Sequence, residues 1–459
     1  MSELLLARSA GAVVDGTCVV PNDLHMQFDL LAASGGGQAM WPNGFSGRAA
    51  PGSMLRPAPH EIWFSCTDAA APSLHAHAAG LATLARLTER DDTHILTLSP
   101  WFDTLRGRIA STFGPAGTSV ILAPSIAAAR DLARAIAYSI HGVPAGEISA
   151  GAAESADDMG DTVDVPLRLA DGKSREAREI NHEALQAARN MASPLLVHVL
   201  DQARSGLTGL TRAGADAISR ERETLTLIDA SEMRTTPDCL NWDLQAGRLV
   251  LISGSTFLGG HANSAALLVP ASLAMRLTHA APSHLIAEAA AHDMAPEWRD
   301  LFCTEGAPRH NIGLGLRWSA ALAELDRYLQ TPAPLREAIL DLFNRRILVR
   351  LSRYEWVERV EEGRGGVAPL LLCGASLEDA QALREGLATS TDAPGDAACH
   401  LGAPIALGDG SAALPVSLSA PMVSDVAGRI AKGVSFERAF APVQRDIDTL
   451  FQKIDRLWN

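Results

Sequence analysis

Short apolar runs alternate with amphipathic segments through the middle of the chain. Six runs predict buried strands, at residues 119–123, 163–169, 194–200, 225–229, 248–254 and 264–270. Between them, residues 125–141 and 175–191 place apolar side chains at helical spacing. Strands with little polar alternation that are separated by helices are typical of a mostly parallel sheet covered on both faces. The block from about 100 to 290 therefore predicts an α/β domain.

The regions on either side of this block have different patterns. Residues 1–60 are rich in Gly, Pro and Ser, and residues 35–53 have no periodicity, so we interpret them as an arm that lies over another surface. The last third predicts a smaller α+β domain, with helices at 311–330, 334–346 and 376–388 and strands at 369–374 and within 399–407 and 414–420. The predicted divisions are 1–100, an arm and helical segment; 101–295, the large domain; and 296–459, the small domain.

Composition and charge narrow the class of protein. The 459 residues are 47% hydrophobic and 20% charged, which is enough for a large core, and the net charge of −14 disfavours nucleic acid and anionic membranes as partners. No apolar run approaches the roughly 20 residues that cross a bilayer. The first residues lack a basic leader, and the six cysteines form no CxxC pair. We therefore expect a soluble cytoplasmic protein.

Three ordered motifs in the large domain carry more specific information. They are VHVLDQARSGLTG (197–209), TLIDASEM (226–233) and LVLISGSTFLGGHANSAALLVP (249–270). Their order and spacing resemble class V aminotransferases and related bacterial transferase-like proteins that depend on pyridoxal phosphate (PLP). In those proteins a strand ends in His before a Thr-Gly or Ser-Gly turn, the next ends in Asp-Ala, and the third runs into Gly-Ser-Lys-Phe before a Gly-Pro turn. The resemblance covers most of the chain from about residue 60.

The resemblance implies the fold-type I architecture: a mostly parallel seven-stranded sheet with helices on both faces, followed by a small C-terminal α+β domain. It also implies a cofactor pocket. The phosphate turn would contain Ser125, the pyridine nitrogen would meet Asp229, and His198 would lie beneath the ring. The remaining pocket positions are Arg204, Ser205, Ser255 and Thr256. A turn containing Gly260, His261 and Asn263 would approach the active site of the opposite subunit.

This sequence departs from the family pattern at three places that bind cofactor or substrate. Thr256 stands where the family has the lysine that forms the Schiff base, and a hydroxyl cannot form an imine. Ile126 and Ala127 replace the Gly and Thr of the phosphate turn, and Pro415 replaces an Arg that binds the substrate carboxylate. We therefore expect no catalytic residue and no covalently bound PLP. Non-covalent PLP stays open but is not expected. The ancestral class would be a transferase.

The residues taken alone leave other interpretations open. Asp229 also fits a helix cap or a core hydrogen-bond network, and His198 fits a buried structural histidine. Arg204 fits backbone carbonyls, a surface carboxylate or an anion in the pocket. The spacing of His198, Asp201 and His261 fits no standard zinc pattern, so no metal site is predicted. The serines have no His-Asp partners at the spacing of a hydrolase triad.

Three functions remain from the sequence. The chain would be a non-catalytic subunit in a biosynthetic pathway, either as a homodimer or as a heterodimer that supports a lysine-bearing PLP homologue. Alternatively, it would be an enzyme that reuses the pocket without a Schiff base, with Asp229, His198 or His261 as acid or base. The third function is a small-molecule-binding or regulatory protein. The sequence names neither a reaction nor a partner.

Overall fold

The computed structural model describes most of the chain. The described residues are 13–14, 17–18, 23–34, 54–65, 71–89, 95–155, 159–286, 298, 311–357, 364–372, 374–389, 397–407 and 409–458. The predicted arm at 35–53 and the predicted boundary between residues 295 and 296 lie outside them.

The described strands fall into one large sheet and several small ones. In chain order they are β1 (Val13–Val14), β2 (Thr17–Cys18), β3 (Ile62–Phe64), β4 (Ser119–Ala123), β5 (Gly146–Ala150), β6 (Val163–Val165), β7 (Leu195–Leu200), β8 (Thr224–Ala230), β9 (Leu249–Ser253), β10 (Ala265–Val269), β11 (Val367–Leu371), β12 (Cys399–Leu401), β13 (Ile405–Ala406) and β14 (Ala412–Ser417).

The described helices flank these strands. They are α1 (Leu24–Ala33), α2 (Leu74–Glu89), α3 (Ile95–Phe113), α4 (Ile126–His141), α5 (Ala177–Asn190), α6 (Arg212–Glu221), α7 (Pro237–Gln245), α8 (Ala271–Ala274), α9 (Ile312–Gln330), α10 (Ala333–Leu351), α11 (Leu377–Thr389), α12 (Ala420–Ala431) and α13 (Phe436–Trp458). Among the described residues, no helix has the length and apolar character needed to cross a membrane.

The large sheet has seven strands in the order β4-β10-β9-β8-β7-β5-β6. Only β10 runs antiparallel to its neighbours, so the prediction of a mostly parallel seven-stranded sheet is confirmed. Every residue of β7, β9 and β10 is buried, which explains why their sequences show no polar alternation.

Two strands differ from the sequence patterns. The segment 163–169 forms a strand only as far as Val165, because Pro166 has no N–H group to extend the ladder. The strand β5 was not among the predicted apolar runs, since its sequence is GEISA. Glu147 lies within this strand and finds its partners only in the folded chain, as described below.

Helices cover both faces of the large sheet. On one face α4 packs Leu132 and Ile136 with strand residues such as Leu227 and Leu251. The opposite face belongs to the main core of the chain, which also contains α3, α5 and the C-terminal helices. Strand residues therefore alternate between two cores: Ile228 faces the main core, and Leu227 faces α4.

The N-terminal and C-terminal segments pack around this domain. Strand β3 pairs in parallel with β12, and β11, β14 and β13 form an antiparallel sheet, which confirms a small C-terminal sheet. Helix α1 packs on α2 and α9 through Phe28 and Leu31. Gly313 permits this contact, because a Cβ atom there would lie 1.9 Å from the Leu31 carbonyl oxygen.

Candidate functional site

Most of the predicted site residues lie where strands of the large sheet end. Ser125 follows β4, Arg204 and Ser205 follow β7, Asp229 is near the end of β8, and Ser255 and Thr256 follow β9. Because these strands are parallel, their carboxyl ends lie along one edge of the sheet, where α/β proteins usually bind ligands. The fold therefore brings these predicted residues to a common edge.

Asp229 forms a buried ion pair with Arg130 of helix α4. The arginine Nη2 lies 2.7 Å from Asp229 Oδ2 and its Nε lies 3.2 Å from the same oxygen, and both side chains are 1% exposed. The other oxygen, Oδ1, accepts the backbone N–H of Ser231 at 3.1 Å. Arg130 Nη2 also donates to Ser155 Oγ at 2.7 Å. Asp229 thus belongs to a core hydrogen-bond network, one of the roles that its sequence position left open.

Opposing effects set the charge of Asp229. Burial alone would raise the pKa of its carboxyl group, but the Arg130 charge and the hydrogen bonds from Ser231 and Arg130 outweigh burial and hold the pKa below its usual value. The carboxylate therefore stays ionised, and Arg130 balances its charge.

Thr256 lies in the turn after β9, beside the end of β8. Its hydroxyl group is buried and donates to the carbonyl oxygen of Ser231 at 2.9 Å. The neighbouring Ser255 hydroxyl pairs with Ser253 Oγ at 2.9 Å. Thr256 therefore lies next to the segment that carries Asp229, and its polar group is bound to the backbone.

Ser125 begins helix α4. Its Oγ accepts the backbone N–H of Ala128 at 3.0 Å, so it is the N-cap of the helix. Ile126 is half-buried against the core beneath α4, and Ala127 is exposed. A helix N-terminus is thus present where the resemblance places the cofactor phosphate, but an isoleucine occupies the position of the flexible glycine.

His198 lies in the interior of the sheet, two residues before the end of β7. It is fully buried, and its Nε2 is 2.9 Å from Glu147 Oε2 on the neighbouring strand β5. Glu147 also accepts from Arg134 of α4, at 2.7 Å and 3.0 Å. Burial would raise the pKa of Glu147, but the bonds from His198 and Arg134 lower it to about 2. His198 is therefore a member of a second, partly buried network under α4.

Arg204 and Ser205 lie in the loop after β7, where the small domain approaches. The Arg204 backbone donates to the Glu154 carbonyl oxygen, and its Nε is buried without a hydrogen-bond partner among the described residues. Ser205 is buried and accepts weakly from Leu207 N–H at 3.4 Å. In the next loop, Arg234 donates to the Gly365 carbonyl oxygen at 2.7 Å, so small-domain backbone covers this part of the edge.

The turn with Gly260, His261 and Asn263 is partly covered by the chain itself. Gly260 N–H bonds the Gly254 carbonyl oxygen, and a Cβ atom at Gly260 would lie 2.4 Å from that oxygen. His261 is fully buried, with its Nε2 3.5 Å from His77 Nδ1 and its ring edge-on to Phe28. Asn263 is half-exposed with φ of 60°. Its approach to a partner's site stays a prediction.

Sequence reasoning missed Arg130, Arg134, Glu147 and Ser155. The sequence does contain a signal for Arg130, because this residue lies among Ala129, Leu132 and Ala133, within the apolar stripe of an amphipathic helix. A charged residue inside such a stripe needs a buried partner. Its partner Asp229 is 99 residues away, so pattern analysis could flag the cation but could not pair it. Among the described residues, no group of His, Cys, Asp and Glu is placed to hold a metal ion.

Comparison with known proteins identifies the fold. A NifS-like protein from Rickettsia africae matches with a TM-score of 0.55 and 12% identity, over 87% of this chain and 99% of that one. A phosphoserine aminotransferase from Cytophaga hutchinsonii matches with a TM-score of 0.50 and 10% identity, over 82% and 100%. No family model and no curated protein sequence matches. The chain thus has the fold-type I aminotransferase architecture, and these identities show the fold alone.

The residues at the carboxyl edge do not fit PLP as this fold usually holds it. Asp229 Oδ2 already accepts two hydrogen bonds from Arg130, and Oδ1 accepts the backbone N–H of Ser231. The Thr256 hydroxyl, at the position expected for the amine, is bound to a carbonyl. Pro415 lies in β14 opposite Pro369 and supplies no charge for a substrate carboxylate.

Proposed function

We propose that this chain is a non-catalytic member of the aminotransferase-like fold, a subunit that supports a lysine-bearing homologue in a biosynthetic pathway. The observation that carries the proposal is the placement of its three lysines, all of which lie in the described residues. PLP chemistry in this fold needs an amine at the end of β9. None of the three lysines lies there.

Each lysine is held elsewhere. Lys173 follows β6, four strands from β9 in the sheet, and its side chain is 68% exposed and pairs with Asp171. With neighbouring strands about 4.8 Å apart, β6 lies on the order of 19 Å from β9 across the sheet. Lys432 is the C-cap of α12. Lys453 is buried in α13, where its amine donates to the carbonyl oxygens of Leu387 and Ala397 at 2.8 Å and 3.0 Å.

A chain without this amine has a role in a dimer if it contributes structure to a partner. The turn at 258–264 is the candidate contribution. His261 anchors the turn inside the chain, and Arg317 Nε donates to the Asn263 carbonyl oxygen at 2.9 Å. Ala262 and Asn263 are the half-exposed residues, so they are the part of the turn that a partner would contact.

The reuse of the pocket for other chemistry is less well supported. Asp229, His198 and His261 are the acid–base candidates, and each is 2% exposed or less. Asp229 is paired with Arg130, His198 with Glu147, and His261 with His77. A general acid or base must reach its substrate, and none of these three groups faces open space.

The test uses the whole chain purified alone and after co-expression with a lysine-bearing homologue encoded in the same genome. Alone with PLP, it should show no visible imine band and no mass adduct after borohydride treatment. Co-expressed, it should elute with the homologue as a heterodimer and raise that partner's activity or soluble yield. A borohydride-trapped adduct on the chain alone would contradict the proposal, as would failure to bind any such homologue.

A further inference from the structure

The ion pair between Arg130 and Asp229 occupies the carboxylate that would meet the pyridine nitrogen of PLP in this chain. Building on the proposed function, we propose that the Arg130 guanidinium takes the place of the cofactor's pyridinium group at Asp229. The pocket is then electrostatically complete without a cofactor. Arg130 then excludes PLP from the pocket. The presence of threonine instead of lysine at position 256 is not sufficient by itself to exclude it.

The chemistry of the two cations is equivalent at this carboxylate. A protonated pyridine nitrogen offers one positive charge and one N–H donor, and a buried carboxylate needs both. Arg130 supplies the charge and two N–H groups to the same oxygen, Oδ2. The second oxygen, Oδ1, accepts from the Ser231 backbone. The two cations therefore compete for one buried carboxylate.

Displacement of Arg130 by a ligand is unfavourable because of where the arginine lies. Its side chain is 1% exposed, and it extends from α4 among the apolar residues Ala129, Leu132 and Ala133. A pyridinium that bound Asp229 would leave the guanidinium buried without its carboxylate, and an uncompensated buried charge is strongly destabilising. Ser155 also binds Nη2 and fixes the arginine in place.

The proposal predicts chemical rescue. Arg130→Met removes the cation at nearly constant side-chain length and leaves the Asp229 carboxylate buried without its partner. The melting temperature should therefore fall by on the order of 5 °C or more. Added PLP, or pyridoxine, which has the ring nitrogen but no aldehyde or phosphate, should then restore part of this loss. The wild-type protein should not respond to either compound.

A matched control separates this effect from general loss of a buried arginine. Arg168 pairs with Glu154 at 2.9 Å, and the two side chains are 4% and 5% exposed. Arg168→Met should lose stability by a similar amount without any response to PLP or pyridoxine. Inorganic phosphate should rescue neither variant, because the predicted contact is with the ring nitrogen.

The measurement is the melting temperature of the whole chain with and without each compound. Rescue of Arg130→Met alone supports the proposal, and rescue of both variants or of neither overturns it. If Arg130→Met does not fold, the soluble yield after refolding from urea with and without PLP gives the same comparison. Adding Thr256→Lys should give a borohydride-trapped adduct only together with Arg130→Met. A failure of the proposed function would appear instead as an adduct on the wild-type chain.

Discussion

Two clusters of ionisable side chains, each wholly or partly buried, respond to burial in opposite ways. Beneath α4, Asp229 and Glu147 stay ionised because Arg130 and Arg134, one turn apart on the helix, supply matching charges. Around α1, His77 and His261 stay neutral: burial, followed by the charges of nearby cations, lowers the pKa of His77 to about 4 and that of His261 to about 3. Burial disfavours charge in both clusters, so the partner decides whether the charge survives.

The largest expected effect comes from removing one partner of the ion pair between Arg130 and Asp229. Asp229→Leu leaves Arg130 buried without a carboxylate and should cost roughly 3–5 kcal/mol of unfolding free energy. The double variant Asp229→Leu with Arg130→Met replaces both charges by apolar groups and should return to within about 1 kcal/mol of the wild type. Urea unfolding of the four proteins in this cycle measures the coupling. Equal losses in the single and double variants would mean that the pair does not balance its own charges.

The neutral cluster should make stability depend on pH. The unfolded chain protonates His77 and His261 near their ordinary pKa of 6.5, whereas the folded chain does so only near 4 and 3. Stability should therefore fall as the pH drops from about 6.5 toward 4 for His77 and toward 3 for His261, by on the order of 1–2 kcal/mol per histidine between pH 7 and 5. The double variant His77→Phe with His261→Phe should flatten this slope in urea titrations. An unchanged slope would show that these rings do not cause it.

The smallest effect over the same pH range is expected from Glu147, the carboxylate that pairs with Arg134. The folded-state pKa of Glu147 is depressed to about 2 from an ordinary value of 4.5. Its stabilising contribution is therefore fully present above about pH 4.5 and is lost only as the pH falls toward 2. Glu147→Gln should lower stability at pH 7 but change the loss between pH 7 and 5 by less than about 0.5 kcal/mol. A larger change would mean that Glu147 titrates between pH 7 and 5 in the folded chain, with its pKa raised rather than lowered.

The apolar pattern of the sequence was a sufficient guide to most of the large sheet. The runs at 119–123, 194–200 and 264–270 became β4, β7 and β10 because strands that are covered on both faces need apolar residues on both faces. The solved structures with the same fold confirm the architecture implied by the ordered motifs. The predicted loss of the Schiff-base lysine, the domain boundaries and the partner stay predictions.

The site was less accessible to sequence reasoning, because its decisive contacts join residues far apart in the chain. The motifs named Asp229 and Thr256, but they did not name Arg130, whose pairing with Asp229 changes what the carboxylate can bind. Strand β5 was missed for a related reason. Glu147 makes GEISA an unlikely buried strand until Arg134 and His198 are in place around it.

The sequence by itself determined the periodic features of this protein: most strands of the large sheet, their apolar faces and the absence of a lysine near position 256. These follow from local spacing and residue type, which a chain carries before it folds. Only the tertiary structure decided which buried groups keep their charge. That outcome depends on pairings across strands and helices, because a buried ion is stable only beside a partner that folding brings to it.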